Sequence, residues 1–318
     1  MSGSSLSGSP WTPADIPDLS GRRALVTGVT GGLGHHVVLE LARAGAEVLA
    51  TARDTVRGKE SLDAIHQSVP AARVELVELD LADLASVHAA AARVVADGRP
   101  LDICVNIAGV MAAPQRRTVD GFELQIGTNH VGHFALVGGL WPAIVAAPAA
   151  RVVTVSSLMH WLARGIRMRC LDPAAKQGRY RKWAAYSESK LANLVFALEL
   201  DRRVRAAGLP VESVAAHPGY SATGLQHAGL AMGDYSVERF ILRIGNWVVA
   251  QSAVAGAWPL LQAATDPSLP GGAYIGPGSP GEARGALKPA GMSKAARDPD
   301  LGRRLWEASE AATGITYP

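Results

Sequence analysis

The chain has 318 residues, 48% of them apolar and 19% charged, with a formal charge of +3. That length allows one large domain or two small ones around a substantial core, and the balance excludes a disordered or strongly charged tail-type protein. No long Lys/Arg block accompanies the pI near 9.0, so nucleic acid is not an expected partner; the basic loop Arg164, Arg167, Arg169, Arg179, Arg181 and Lys182 reads as solvated surface.

Met1 to Pro17 is rich in Ser, Gly and Pro and lacks a charged start followed by an apolar core. It reads as a loose tail reaching to about residue 20, not as a signal peptide. Residues 21–318 then read as one domain. Arg23 to Gly28 is an apolar run ending at glycine, followed by Val29-Thr30-Gly31-Gly32-Leu33-Gly34 and a helical pattern with Val37, Val38 and Leu41 apolar. This is a strand, a glycine turn and a helix. Glycines at Gly28, Gly32 and Gly34 clear side chains from where backbone must approach a pyrophosphate, and the helix N-terminus offers free N–H groups.

Val48 to Thr51 reads as the second strand, and its end sets cofactor choice. An acidic residue there would hold a ribose 2′-OH and repel a 2′-phosphate, whereas Ala52 followed by Arg53 favours the phosphate and hence NADP(H). Asp54 keeps NAD(H) open, since a shift of two positions in the strand end would place it on the ribose. The alternation continues with strand Arg73 to Leu79, helix Asp83 to Val95, strand Leu101 to Ala108, helix Gly121 to Leu140 and strand Arg151 to Ser156. A Tyr–Lys helix to Ala207 and strand Val211 to Ala216 follow. Such alternation predicts an α/β fold, a doubly wound, mostly parallel sheet with helices on both faces and ligands at the carboxyl ends of the strands. Gly28, Arg53, Asp80, Asn106, Ser157 and His217 all fall at such ends.

Val131 to Ala150 carries no charge, but His133, three glycines and two prolines mark a buried or interface helix instead of a membrane span. Two cysteines, Cys104 and Cys170, cannot build a disulfide framework and suit a reducing cytoplasm. Beyond Pro218 the pattern loosens into Ser221 to Asp234, helical pieces at Val237 to Val249 and Val254 to Ala264, a Gly/Pro-rich stretch to Pro280 and a terminal helix at Asp300 to Ala311. Residues 220–250, with Leu225, Leu230, Met232, Tyr235, Phe240 and Ile241, read as a C-terminal substrate lid for a bulky apolar molecule.

Tyr186 and Lys190 stand four apart, on one face of a helix. An ammonium there can lower a phenol that titrates near pH ~10 and make it a general acid/base. His130, His133 and His160 read as packing or hydrogen-bonded residues, and no spacing suggests a metal.

Over residues 21 to 277 the chain resembles the short-chain dehydrogenase/reductase superfamily, and within it the branch of retinol dehydrogenases, WW-domain oxidoreductases and protochlorophyllide reductases. The resemblance rests on Thr27-Gly28…Gly32-Leu33-Gly34, Asp80-Leu81, Asn106-Ile107-Ala108-Gly109, Asn129-His130-Val131-Gly132-His133-Phe134 and Val155-Ser156-Ser157. Tyr186-Ser187-Glu188-Ser189-Lys190-Leu191-Ala192-Asn193 and His217-Pro218-Gly219 with Thr223 complete it. It implies that Tyr186 is the acid/base, that Lys190 tunes it and binds the nicotinamide ribose, that Ser157 polarises the carbonyl and that Asn129 holds a water joining Lys190 to solvent. Asp80 would meet the adenine, Asn106 the adenosine side and Thr223 the nicotinamide amide. Thr27, Leu33, Leu81, Ala108, Gly109, Pro218 and Gly219 complete the expected cofactor site. Two departures stand out: Ile107 replaces the usual second asparagine, and Thr30-Gly31 replaces a polar or basic pair that often helps bind the 2′-phosphate. The expected activity is NADP(H)-dependent hydride transfer to a ketone or aldehyde; the alternatives are C=C reduction on the same fold and an NADP(H)-sensing protein without catalysis. A homodimer or homotetramer through Val131–Val145 and the Tyr–Lys helix is the implied assembly.

Overall fold

A computed structural model describes residues 10–176, 178–219 and 252–318. Eight strands form one sheet in the order β3-β2-β1-β4-β5-β6-β7-β8. They are β1 (Arg23–Thr27), β2 (Glu47–Ala52), β3 (Arg73–Glu78), β4 (Ile103–Asn106), β5 (Ala150–Val155), β6 (Val211–Ala216), β7 (Tyr274–Pro277) and β8 (Leu287–Pro289). All neighbours pair parallel except β7 with β8. Strand order reverses between β1 and β4, which opens a crevice at their carboxyl ends.

Central strands of a doubly wound sheet are covered on both faces, so they are apolar at successive positions. Every residue of β1, β4 and β5 is buried accordingly, while edge strand β3 exposes alternate residues. Ala24 and Val26 point into one core with α1 (Gly32–Arg43), and Leu25 points into the other with α3 (Leu84–Ala96). The first face also carries α2 (Thr55–Ser68), which the sequence reading passed over, and a late helix, Ala253–Thr265. Asp54 starts α2 by accepting from the amides of Val56 and Arg57, both at 3.1 Å.

The expected continuous helix Gly121 to Leu140 is broken into pieces. A single turn α4 (Leu124–Ile126) leads into a π-helical stretch Gly127–Val131, then α5 (Gly132–Gly139), and α6 (Trp141–Val145) begins beside Pro142. Such π-bulges recur at functional sites. The Tyr–Lys helix is α7 (Lys182–Ala206). It packs against β5 and β6 and also against a terminal helix, Pro299–Thr313. Numbered in chain order, Ala253–Thr265 is α8 and Pro299–Thr313 is α9.

Residues 10–20 are not a loose tail. Trp11 and Ile16 pack on the core, Leu19 is buried, and its amide donates to Ala44 at 2.8 Å. The Gly/Pro-rich stretch holds β7. The lid expected at 220–250 and Thr223 lie outside the described residues. Among the described residues no helix is long and apolar enough to cross a membrane, and no cluster of His, Cys, Asp and Glu could hold a metal.

Candidate active site

At the β1 end the site is shaped by backbone. Gly28 has φ +82°, and a Cβ there would stand 3.0 Å from that of Ala108. A Cβ on Gly34 would stand 2.2 Å from the Gly28 carbonyl oxygen, so this glycine lets α1 close onto the turn, while Gly32 makes the same allowance for Ala253 of α8. Gly31 begins α1 with no side chain on the first-turn amides, which suits an anion beside Leu33.

Thr27 is fully buried and acts inward. Its hydroxyl accepts from the amides of Ile107 and Ala108 at 2.9 and 3.0 Å and lies 3.1 Å from His133 Nε2. His133 in turn lies 2.9 Å through Nδ1 from the Asn129 carbonyl oxygen. As a hydrogen-bonded histidine, His133 ties the glycine-turn strand to the π-helical stretch. Asn106 also turns inward, with Nδ2 3.5 Å from Thr154 Oγ1. Asp80 closes its own turn by accepting from the Ala82 amide at 2.9 Å, and Leu81 is buried against Gly132. Arg53 is exposed at the end of β2, whereas Asp54 is committed to capping α2.

Asn129 is wholly buried in the π-helical stretch. Its Oδ1 accepts from the Val110 amide at 2.7 Å, and its Nδ2 donates to the Val110 carbonyl and to Ser189 Oγ, each at 2.9 Å. Gly109 must be glycine here, because a Cβ would come within 2.6 Å of Asn129 Oδ1. The side chain therefore locks the loop after β4 to α7.

Ser157 follows β5 and begins a short 3-10 turn, its hydroxyl accepting from the Met159 amide at 3.2 Å and near enough to the Tyr186 phenol to favour its ionised form. Adjacent Ser156 points the other way and donates to the Lys190 carbonyl at 2.8 Å, which separates the two serines. Lys190 Nζ donates to the Val155 carbonyl at 3.1 Å and sits 5.9 Å from the centre of the Tyr186 ring. Burial pushes the Tyr186 phenol up to about 12, with Ser157 acting against it, and burial brings the Lys190 ammonium down to about 8. The expected lowering of Tyr186 by Lys190 is thus absent: desolvation dominates, and the ammonium faces a carbonyl and the ring instead of the phenol oxygen. At neutral pH the site holds a protonated phenol beside a cation.

A family profile described as short chain dehydrogenase matches residues 22–169. The chain is 40% identical to a polyprenol dehydrogenase of Mus musculus over 95% of its own length and 87% of that protein. With retinol dehydrogenase 13 of Homo sapiens it shares 33% over 96% of the chain and 87% of the relative. The chain belongs to the short-chain dehydrogenase family. It is an oxidoreductase of the retinol dehydrogenase branch. An uncharacterized protein from Mycobacterium paratuberculosis has the same fold at a TM-score of 0.78 and 41% identity, covering 98% of this chain and 100% of that one. A structure described as a candidate NAD(P)-dependent gluconate 5-dehydrogenase from Beutenbergia cavernae, with NADP at low occupancy, matches at 0.58 and 28% over 78% of this chain and 91% of that one.

In this short-chain dehydrogenase the histidines read as packing residues are indeed buried and hydrogen-bonded. His130 Nε2 lies 2.8 Å from Ser309 Oγ of α9, and His160 Nδ1 lies 2.8 Å from the Ser157 carbonyl. Of the basic loop, Arg167 is taken up by Glu188, with Nε 2.9 Å from both carboxylate oxygens. Gly219 has φ +65° and donates its amide to His217 Nδ1 at 3.2 Å. That contact gives His217 a part in the site that the sequence reading reserved for Pro218 and Gly219.

Proposed function

We propose that this enzyme uses NADP(H) to reduce a ketone or aldehyde on a bulky apolar molecule, with Tyr186 as general acid. The observation that carries it is the buried Tyr186 phenol, kept protonated at neutral pH by its burial, with Ser157 nearby and the Lys190 ammonium 5.9 Å from its ring centre. The cofactor, when bound, supplies hydride to the carbonyl carbon. Gly28, Gly32, Leu33 and Gly34 would hold its pyrophosphate, Asp80, Leu81, Asn106, Ala108 and Gly109 its adenosine side, and Lys190, Pro218 and Gly219 its nicotinamide half; the cleared glycine turn fits such a group.

In this reading the Ser157 and Tyr186 hydroxyls would both face the substrate carbonyl oxygen. As charge builds on that oxygen, Ser157 donates a hydrogen bond and Tyr186 gives up its proton. The Lys190 ammonium then stabilises the resulting phenolate. Asn129 holds the loop after β4 against α7, so Lys190 and the loop keep their spacing.

Exposed Arg53 and the engagement of Asp54 as a helix cap support NADP(H) over NAD(H). Relatives named for polyprenol and retinol support a long apolar substrate. Two free cysteines support the reducing cytoplasm. A homodimer or homotetramer through α5, α6 and α7 is the assembly expected of the family, with α9 also packed against α7 and Tyr317 donating to the Phe134 carbonyl of α5 at 3.1 Å.

The test is oxidation of NADPH and of NADH against bulky ketones, aldehydes and enones, with products identified. Alcohol formed with NADPH supports the reading. Saturated ketone from an enone would replace it by C=C reduction, and tight NADPH binding without turnover of any carbonyl would replace it by a sensor.

A further inference from the structure

Beyond Ser157 and Tyr186 lies a buried polar cluster that the proposed chemistry does not use. His217, at the end of β6, is fully buried. Its Nδ1 receives the Gly219 amide proton, so Nδ1 carries a lone pair and the neutral ring must carry its proton on Nε2. That Nε2 stands 3.2 Å from Glu282 Oε2, a close charge contact off hydrogen-bond alignment, and neither atom has a hydrogen-bond partner among the described residues. The imidazole stays neutral there, since burial brings it down to about 3.

The surroundings are built to admit this pair. A Cβ on Gly276 of β7 would stand 1.9 Å from His217 Nε2, so the neighbouring strand must present a glycine. Tyr274 covers the ring at 5.2 Å between centroids, and His160, the other titratable ring of the cluster, packs on Tyr274 at 5.7 Å. Glu282 itself has φ +53°, a left-handed conformation that a residue with a side chain adopts only when its surroundings enforce it. The Gly291 amide fixes its other oxygen, Oε1, at 2.8 Å, and the turn carrying it is closed by Ser279 and Arg284. A carboxylate held at a strained position, aimed at one nitrogen of a buried histidine, is more than filler.

We propose that Glu282 is a positioning residue for the cofactor site: it holds His217 in the Nε2-protonated tautomer, and that tautomer fixes the Pro218-Gly219 turn through the Gly219 amide. The C-terminal segment after β7 thereby sets the shape of the nicotinamide side from outside the pocket. This rests on the reading of Pro218 and Gly219 as cofactor contacts.

Glu282→Gln tests it. Gly291 keeps the amide oxygen, so the Gln NH2 turns to His217 Nε2 and favours the other tautomer, which opposes the Gly219 amide. NADPH binding should weaken about tenfold with kcat at saturating cofactor within threefold, and the His217 15N shifts should move the proton from Nε2 to Nδ1. His217→Asn keeps an acceptor for Gly219 without needing a carboxylate, so Glu282→Gln should cost nothing further in that background. Unchanged NADPH affinity in Glu282→Gln, or a wild-type His217 protonated on Nδ1, overturns the proposal. If wild-type protein binds neither NADPH nor NADH, the cofactor reading falls, and the 15N tautomer of His217 in the two Glu282 forms still decides the pairing.

Discussion

Around Gly28 and Gly34 the backbone shapes the site: the turn closes on itself and leaves room for Ala108 after β4 and for Ala253 of α8. Around Ser157 and His217 the shaping is done by buried side chains whose partners come from far along the chain, as Ser293 does to His160 across 133 positions. The first region works by removing side chains so that a ligand can approach. The second works by tying buried side chains to carbonyls and amides of distant segments, as Ser156 is tied to Lys190 and Lys190 to Val155.

The largest expected effect falls on the second region. His130 and His217 are held by burial down to about 3, and His133 to about 4, so all three stay neutral in the fold while the unfolded chain protonates them near 6.5. Above pH 6.5 they cost nothing; as pH falls toward 4 the unfolded state takes up protons that the native state refuses, and stability is lost. Each should remove about 2 kcal/mol between pH 7 and 5. Urea unfolding at the two pH values reads this, and an equal midpoint would break the contrast.

A matched pair of glycines sharpens it. Gly34→Ala drives a Cβ into the Gly28 carbonyl and should cost about 3 kcal/mol together with cofactor affinity, because backbone cannot yield. Gly276→Ala drives one into the His217 ring and should cost a similar amount, but His217→Ala in the same chain should restore much of it. Thermal unfolding of the single and double variants separates rigid backbone from a yielding side chain. Smaller effects come at the end of β2. Arg53→Ala should narrow any NADPH preference by about tenfold, or 1.4 kcal/mol, in kcat/KM. Asp54→Ala should cost about 1 kcal/mol of stability through its lost cap without moving that preference; a larger shift from Asp54 than from Arg53 would return the ribose contact to the acidic residue.

The same contrast explains what could be read from the chain alone. The succession of strands along the chain through β6, the glycine turn and the Tyr186–Lys190 spacing rest on local periodicity and short motifs, and the structure has each of them. Strand ends shifted by a residue or two. Helix α2 went unread because its apolar face amounts to Gly58, Leu62 and Ile65. Strand β7 hid among glycines that are there to make room for His217 and for Asp201. The roles of His133, His217 and Glu282 depend on partners that sequence spacing does not bring together. The sign of the Tyr186 shift was missed because burial is a property of the whole fold, which no pattern within residues 182–206 announces.

The central claim, that Tyr186 is the proton donor of a reductase, is tested most directly by Tyr186→Phe. The account predicts NADPH affinity within twofold of wild type and a fall in kcat of at least ~1000-fold, in the range of a lost general acid. A Phe variant that turns over carbonyl substrate at the wild-type rate would contradict it.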